Sequence, residues 1–240
     1  MKTSRNITNI IRYVLDNMVP PILRDQKWFI WIPFKLLFKD KIHIFLNFKD
    51  NLSTLTDKEI KQIYETTKNV HISRLTDINL GCLKKIELEV SGTSVLDVGC
   101  GSGHLTNILE KTHKVTSLDF VKSLDYHPVN KSTIFVEADA STLPFEDNSF
   151  DTVICAHTLE HIKDIKKAIK ELQRVCKKKL VIVVPKQRPY RYTFDLHIHF
   201  FPYEHTFMDL MSTFNKCTVS DFISTIQGDI YYHEEYEDKA

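Results

Sequence analysis

Val95-Leu96-Asp97-Val98-Gly99-Cys100-Gly101-Ser102-Gly103-His104-Leu105-Thr106 is the stretch that decides the fold of this chain. A short apolar, β-branched run ends in three glycines at alternate positions, and helix-forming residues follow. The stretch reads as strand, tight turn, helix. Glycines there let a ligand approach the backbone closely, because no Cβ intervenes. The N–H groups that open the following helix favour an anionic group. In doubly wound folds, a turn of this kind at the carboxyl end of a first parallel strand is where nucleoside-like ligands bind.

Many dehydrogenases share a glycine turn, written Gly-x-Gly-x-x-Gly, whose helix start holds a pyrophosphate. Asp97 stands two residues before the first glycine here, and Gly103 falls one residue early for that fingerprint. An anion at Asp97 repels phosphate and suits a ligand carrying an ammonium group. Val115-Thr116-Ser117-Leu118-Asp119 is a second strand ending in an acid about 20 residues on, where a carboxylate can accept both hydroxyls of a ribose. Phe135-Val136-Glu137-Ala138-Asp139-Ala140 is a third strand ending in an acid, and Ser149-Phe150-Asp151-Thr152-Val153-Ile154-Cys155-Ala156-His157-Thr158-Leu159-Glu160-His161 is a fourth.

In this order and spacing the four segments resemble the class I S-adenosylmethionine-dependent methyltransferases, especially the small-molecule branch that includes the ubiquinone-biosynthesis enzymes. The resemblance covers roughly residues 93–185 and continues loosely to the C-terminus. It implies an α/β, Rossmann-like, seven-stranded sheet, mostly parallel with one antiparallel edge strand, and S-adenosylmethionine as cofactor with S-adenosylhomocysteine as product. On these positions it places Asp97, Gly99 and Gly101 around the methionine part, with Cys100 between the glycines. Asp119, followed by Phe120, would hold the ribose diol. Asp139 and Ala140 would meet the adenine, and His157 would stand beside the reactive methyl. The segment before the first strand often lids the cofactor in this family, which makes Tyr64, His71 and Arg74 candidates for its carboxylate.

The chain's 240 residues suffice for one large domain or for a domain with a cap. We expect an N-terminal helical cap over 1–90 and the cofactor-binding core over 91–240. The net charge of +1 gives no general attraction for polyanions. There is no Asn/Asp-Pro-Pro-Tyr run after the fourth strand and no basic stripe along a helix, so nucleic acid is not an expected partner. Five scattered cysteines without a Cys-x-x-Cys pair point to neither a zinc knuckle nor a disulfide framework. No apolar run is long enough to span a bilayer, and no signal-peptide pattern opens the sequence, so a cytoplasmic protein with reduced thiols is expected.

Apolar spacing predicts a helix over residues 7–18, stopped by Val19-Pro20-Pro21. Residues 22–48 interleave Trp28, Phe29, Trp31, Phe34 and Phe38 with Arg24, Lys27, Lys35, Lys39 and Lys41. Such a segment can pack as a cap, lie on an anionic membrane surface or form a partner contact. It also resembles the leader of methyltransferases associated with bacterial surface-glycan synthesis. Ser53 to Glu59 offers a helix N-cap and an acidic first turn, and a further helical pattern covers Thr76 to Ile86. From Thr93, strands near 94–98, 114–119, 133–137, 151–156 and 179–184 alternate with helices near 103–112 and 164–176, which implies a parallel sheet covered on both faces. A short helix near Phe207–Phe214 and a strand pair over 219–223 and 227–232 close the chain.

Methyl transfer is a displacement at a carbon made electrophilic by the neighbouring sulfonium. A hydroxyl nucleophile must also lose its proton, whereas an anionic oxygen needs positive charge to position it. Three groups are candidates for these roles. After the fourth strand the chain is expected to turn into a helix, so His157, Glu160 and His161 share a face and could converge, and either histidine could act as base. Certain relatives hold a metal with Glu-x-x-Glu-His at this point; His157 departs from that pattern, and no metal is assigned. In Asp195-Leu196-His197-Ile198-His199-Phe200-Phe201, His197 and His199 face one way if the run is extended, with His205 following; His199 is taken as the catalytic candidate. In Lys186-Gln187-Arg188-Pro189-Tyr190-Arg191-Tyr192, the arginines Arg188 and Arg191 could clamp a phosphate or carboxylate, and the tyrosines could stack on a sugar or only pack the cap. The expected activity is O-methylation of a small anionic precursor of a surface polysaccharide. A quinone or lipid methyltransferase and a non-catalytic S-adenosylhomocysteine binder are the alternatives. Oligomeric state is not legible.

Overall fold

The structure is a computed structural model that describes residues 13–15, 17–67, 75–214 and 218–237. The described chain forms two compact units. One comprises residues up to 67 together with 188–198; the other comprises 75–187 and 199 onward. The segment 80–89, expected in the cap, belongs to the larger unit, and residues 188–198 belong to the smaller one.

In the larger unit the element order is α5 (Leu80–Glu89), β1 (Ser94–Val98), α6 (His104–Leu109), β2 (Lys114–Asp119), β3 (Ile134–Glu137), β4 (Phe150–Ala156), α7 (Ile165–Val175), β5 (Cys176–Pro185), α8 (Glu204–Met211), β6 (Thr218–Ile226) and β7 (Asp229–Tyr236). One seven-stranded sheet has the order β3-β2-β1-β4-β5-β7-β6. β1 to β5 pair in parallel. β7 runs against both β5 and β6, so the antiparallel strand lies one place in from the edge. The β6–β7 hairpin turns on Gln227 and Gly228, both with positive φ (48° and 91°), as a two-residue turn matching strand twist requires.

Period-2 alternation divides the strand side chains between two faces. Leu96, Val98, Val153, Cys155, Leu180 and Ile182 point to the face that α7 covers with Ile165, Ala168, Ile169, Leu172 and Val175. Those five positions follow the helical i, i+3, i+4, i+7, i+10 spacing. Val95, Val115, Ile154, Val181 and Tyr231 point to the other face, against Cys82, Leu83 and Ile86 of α5 and Leu105 and Leu109 of α6. α5 is tied to the sheet by its N-cap: Asn79 accepts the Cys82 N–H at 2.8 Å and donates to the Ile226 carbonyl at 2.7 Å and the Asp229 carboxylate at 2.6 Å. Those bonds are why this helix goes with the core. The result is three layers with the carboxyl ends of β1–β5 along one rim.

The smaller unit contains α1 (Pro21–Arg24), α2 (Lys27–Phe38), a 3-10 turn (Lys39–Lys41), α3 (Ile42–Asn51) and α4 (Asp57–Thr67). Ile30, Phe34 and Phe38 form the buried stripe of α2 and pack with Phe45, Leu46 and Phe48 of α3, together with Tyr192 and Leu196. The Phe38 and Phe45 rings stack with centroids 3.6 Å apart. α4 starts with a capping box, in which the Thr56 N–H donates to Glu59 at 2.8 Å and the Glu59 N–H donates to the Thr56 hydroxyl at 3.3 Å. Most of the helix expected over 7–18 lies outside the described residues. Among the described residues no helix is long and apolar enough to cross a membrane.

Candidate active site

The turn between β1 and α6 is built on three positive-φ glycines, Gly99 (75°), Gly101 (53°) and Gly103 (80°). They serve different ends. A Cβ on Gly99 would overlap the Thr158 hydroxyl, and one on Gly103 would sit 3.0 Å from the Tyr126 ring; these two are glycines for packing. A Cβ on Gly101 would meet nothing within 4 Å. Gly101 is therefore open, and its amide donates to the Asp119 carboxylate at 2.8 Å, which ties the end of β2 to the turn. The N–H groups of Gly99 and Cys100 donate to the Leu118 carbonyl at 2.7 and 3.1 Å.

Asp97 is buried beneath this turn. Its carboxylate accepts the Thr106 hydroxyl at 2.6 Å, and Thr106 and Ser117 share a bond of 2.8 Å. Burial, reinforced by the charge of Asp119, raises the Asp97 carboxyl to about 6 against the pull of Thr106. Burial likewise raises Asp119 against the pull of the Gly101, Val121 and Phe120 amides. Burial and the same two carboxylates push the Cys100 thiol up, so it is no nucleophile. Two neighbouring carboxylates, each lifted by loss of water, form a site that favours a cation. With the open Gly101 this suits a ligand that brings an ammonium group to Asp97 and hydroxyls to Asp119. Phe120 follows Asp119 at the rim.

Beyond β3, the Asp139 carboxylate accepts the Ser141 amide at 2.7 Å, and Ala140 is buried behind it. The loop over residues 143–148 is held by Arg174 of α7. Its guanidinium donates to the carbonyls of Phe145 (2.7 Å) and Leu143 (3.1 Å) and to the carboxylates of Asp147 and Glu171 (2.8 Å each).

After β4 the sequence expectation needs correction. No helix follows directly: His157 takes φ 52°, a 3-10 turn covers Leu159–His161, and α7 waits for the Asp164 N-cap, which accepts the Lys167 amide at 3.0 Å. His157 lies 3.2 Å from Asp229 through Nε2 and 3.6 Å from Glu160 through Nδ1. Burial opposes charge on the ring, but the two carboxylates outweigh it and raise the imidazole to about 10. Held between the two carboxylates, His157 is stabilised as an imidazolium, the form that does not accept a proton. Glu160 is fully buried, and neither of its oxygens accepts a hydrogen bond among the described residues, so this imidazolium is its compensation.

His161 sits at the end of the 3-10 turn, its amide bonded to the Thr158 carbonyl at 3.0 Å. His199 is bonded at both levels: its amide donates to the Glu160 carbonyl at 3.0 Å, and its Nε2 to the Ile162 carbonyl at 2.9 Å. A carbonyl only accepts, so Nε2 carries its proton and braces the turn. The run before it is not extended, because Leu196 has φ 55°. Tyr64, Arg188 and Arg191 belong to the smaller unit. Tyr64 packs on that unit's aromatic cluster. Arg191 faces Asp50 at 3.6 Å and lies over the Tyr192 ring at 5.6 Å. Arg24 covers the Tyr190 ring at 4.2 Å, and Tyr190 and Tyr192 are buried, so these tyrosines pack within the smaller unit. His71 and Arg74 lie outside the described residues.

Thr106, Thr158, Asn79 and Asp229 are site residues that sequence reasoning missed. Thr158 stitches β1 to β4 by donating to the Val98 (3.3 Å) and Ala156 (3.1 Å) carbonyls. Asn79 carried a usable signal, an N-cap residue directly before an apolar run; Asp229 carried none beyond a Gln-Gly-Asp turn.

Residues 96–184 match the family described as methyltransferase domain. Over 95 residues the chain is 39% identical to demethylmenaquinone methyltransferase from Staphylococcus aureus (strain JH9), a match that spans 36% of this chain and 39% of that protein. The match thus covers about two fifths of the length of the curated relatives. Among solved structures, 1,6-didemethyltoxoflavin-N1-methyltransferase from Burkholderia thailandensis, with bound 1,6-didemethyltoxoflavin and S-adenosylhomocysteine, superposes with a TM-score of 0.60 at 16% identity, covering 75% of this chain and 89% of that one. An S-adenosylmethionine-dependent methyltransferase from Thermotoga maritima gives a TM-score of 0.54 at 16% identity, covering 75% and 98%. Both share the fold described above.

Proposed function

We propose that this chain, whose residues 96–184 match the methyltransferase domain family, transfers the methyl group of S-adenosylmethionine to an oxygen of a small anionic acceptor. The observation that carries the cofactor is the pairing of an open, positive-φ Gly101 with two desolvated carboxylates, Asp97 and Asp119. In this reading Asp97 receives the ammonium, Asp119 the ribose hydroxyls, and Asp139 with Ala140 borders the adenine. When bound, the cofactor supplies the electrophilic methyl on its sulfonium. The chain's own share is placement: alignment of two reactants can supply roughly 7–11 kcal/mol of the barrier.

An anionic acceptor suits a site whose nearest histidine, His157, is already charged. His199 donates from Nε2, which makes Nδ1 its proton-accepting nitrogen, so His199 and His161 are the bases an acceptor that arrives protonated would use. An oxygen that arrives as an anion needs no base, and forgoes the roughly 10²–10⁴-fold a base contributes. Lys186, exposed just beyond β5, supplies a cation on the larger unit. We take the acceptor to be a phosphate, phosphoramidate or nucleotide-linked sugar, a precursor of capsule or other surface polysaccharide. A second reading, a quinone or lipid acceptor at a membrane, is favoured by the 39% identity to demethylmenaquinone methyltransferase.

Incubation with labelled S-adenosylmethionine and a panel of nucleotide sugars, sugar phosphates, quinones and phospholipids separates these. Label in phosphorylated acceptors supports the first reading. Label confined to quinones or lipids rejects it for the second. Cofactor binding with no label in a native extract rejects methyl transfer altogether.

A further inference from the structure

Apart from two lysines, α2 carries only apolar residues. Its sequence, KWFIWIPFKLLF, buries Ile30, Phe34 and Phe38 and holds two lysines and no acid. On the remaining surface Trp28 (67% exposed), Trp31 (47%), Ile32 (62%) and Leu36 (76%) stand in solvent, flanked by exposed Lys27 and Lys35. Beside them is an open groove of about 400 Å³ with an almost wholly apolar lining that includes Leu15, Trp28, Ile32, Pro33 and Phe194. Single exposed apolar side chains are ordinary, but a contiguous set along one helix marks a surface that something covers.

Charge selects the occupant. The surface is aromatic and cationic with no acid of its own, and the nearest preceding acid, Asp25, is paired with Arg24 at 3.5 Å. Tryptophan places its ring in the apolar boundary and its N–H in the wet headgroup layer, while lysine stems reach outward to anions. We propose that α2 docks the chain on an anionic phospholipid surface, with Trp28, Trp31, Ile32 and Leu36 in the boundary and Lys27 and Lys35 on the headgroups. This docking does not depend on which acceptor the core methylates.

Trp28 and Trp31 are the chain's two tryptophans, so indole fluorescence reads this helix alone. With phosphatidylglycerol vesicles the full-length protein should co-sediment and its emission should shift to the blue; with phosphatidylcholine vesicles both effects should be weak, and added salt should reduce the binding. The double variant K27Q/K35Q alters only exposed positions and should keep the wild-type circular dichroism. It should lose partitioning by about 25-fold, at about fivefold per lysine. No sedimentation with phosphatidylglycerol, equal binding to both vesicle types, or an undiminished K27Q/K35Q each overturns the proposal. A blue shift that appears without lipid as protein concentration rises, together with a dimer in analytical ultracentrifugation, overturns it in favour of a second copy of this chain.

Discussion

His157 and Asp229 are 72 residues apart in the chain and meet at 3.2 Å in the larger unit. One follows directly on the fourth strand and the other begins the seventh. The contact joins the loop beside the cofactor crevice to the antiparallel part of the sheet, and Asn79 extends it to α5.

Removing the imidazolium leaves Asp229 and Glu160 buried without their cation. His157→Ala should cost about 3–5 kcal/mol of stability at neutral pH. The imidazole is raised in the folded state, so its contribution is full below the unfolded value near 6.5 and is lost as pH rises through about 10. Urea unfolding of wild type and variant should therefore show a gap that is wide at pH 7 and narrows toward pH 10. A constant gap contradicts the clamped imidazolium.

Asp97 gives a trend of the same sign at lower pH. Its carboxyl is raised from 3.8 to about 6, so the folded protein binds a proton that the unfolded chain has released. Stability of the ligand-free protein should fall by about 3 kcal/mol as pH climbs from about 4 to 6. An ammonium ligand prefers the ionised form, so cofactor affinity should rise over the range approaching pH 6 and level off above it. Asp97→Asn should abolish that pH dependence and weaken binding by about 1.5–3 kcal/mol, with a melting temperature at pH 7 no lower than wild type. Calorimetric titration from pH 5 to 7.5 checks both; a pH-independent wild-type affinity contradicts the role given to Asp97.

Two alanine variants separate packing glycines from the ligand glycine. Gly101→Ala pays for a left-handed backbone, about 1–2 kcal/mol, but has open space, so it should fold and lose cofactor affinity. Gly99→Ala meets the Thr158 hydroxyl as well and should be far less stable. Thermal melts with and without S-adenosylhomocysteine distinguish them. Equal destabilisation, or a Gly101→Ala variant that still binds, contradicts the division.

The strands were readable because buried parallel strands are short β-branched runs between turn signals; β1 and β2 fall at the expected residues. Asp119 stands at the end of β2, where the second such run placed it. What escaped the reading depends on contacts distant in sequence. The helical reading of 157–161 failed because His157 takes a positive φ and only a 3-10 turn follows it, whereas the helix expected near 164–176 starts at its Asp164 cap. The charge on His157 is set by Asp229, whose burial no local pattern announces. The boundary expected at residue 90 missed α5 because Asn79 bonds to Asp229 and Ile226, near the far end of the chain.

The central claim is that the crevice of Asp97, Gly101 and Asp119 holds the methyl donor. Isothermal titration of the folded protein with S-adenosylhomocysteine, beside Asp119→Ala, tests it most directly. The expected result is one site per chain, weakened by about 1–3 kcal/mol in the variant. No heat with well-folded wild type, or equal affinity in the two proteins, would contradict it.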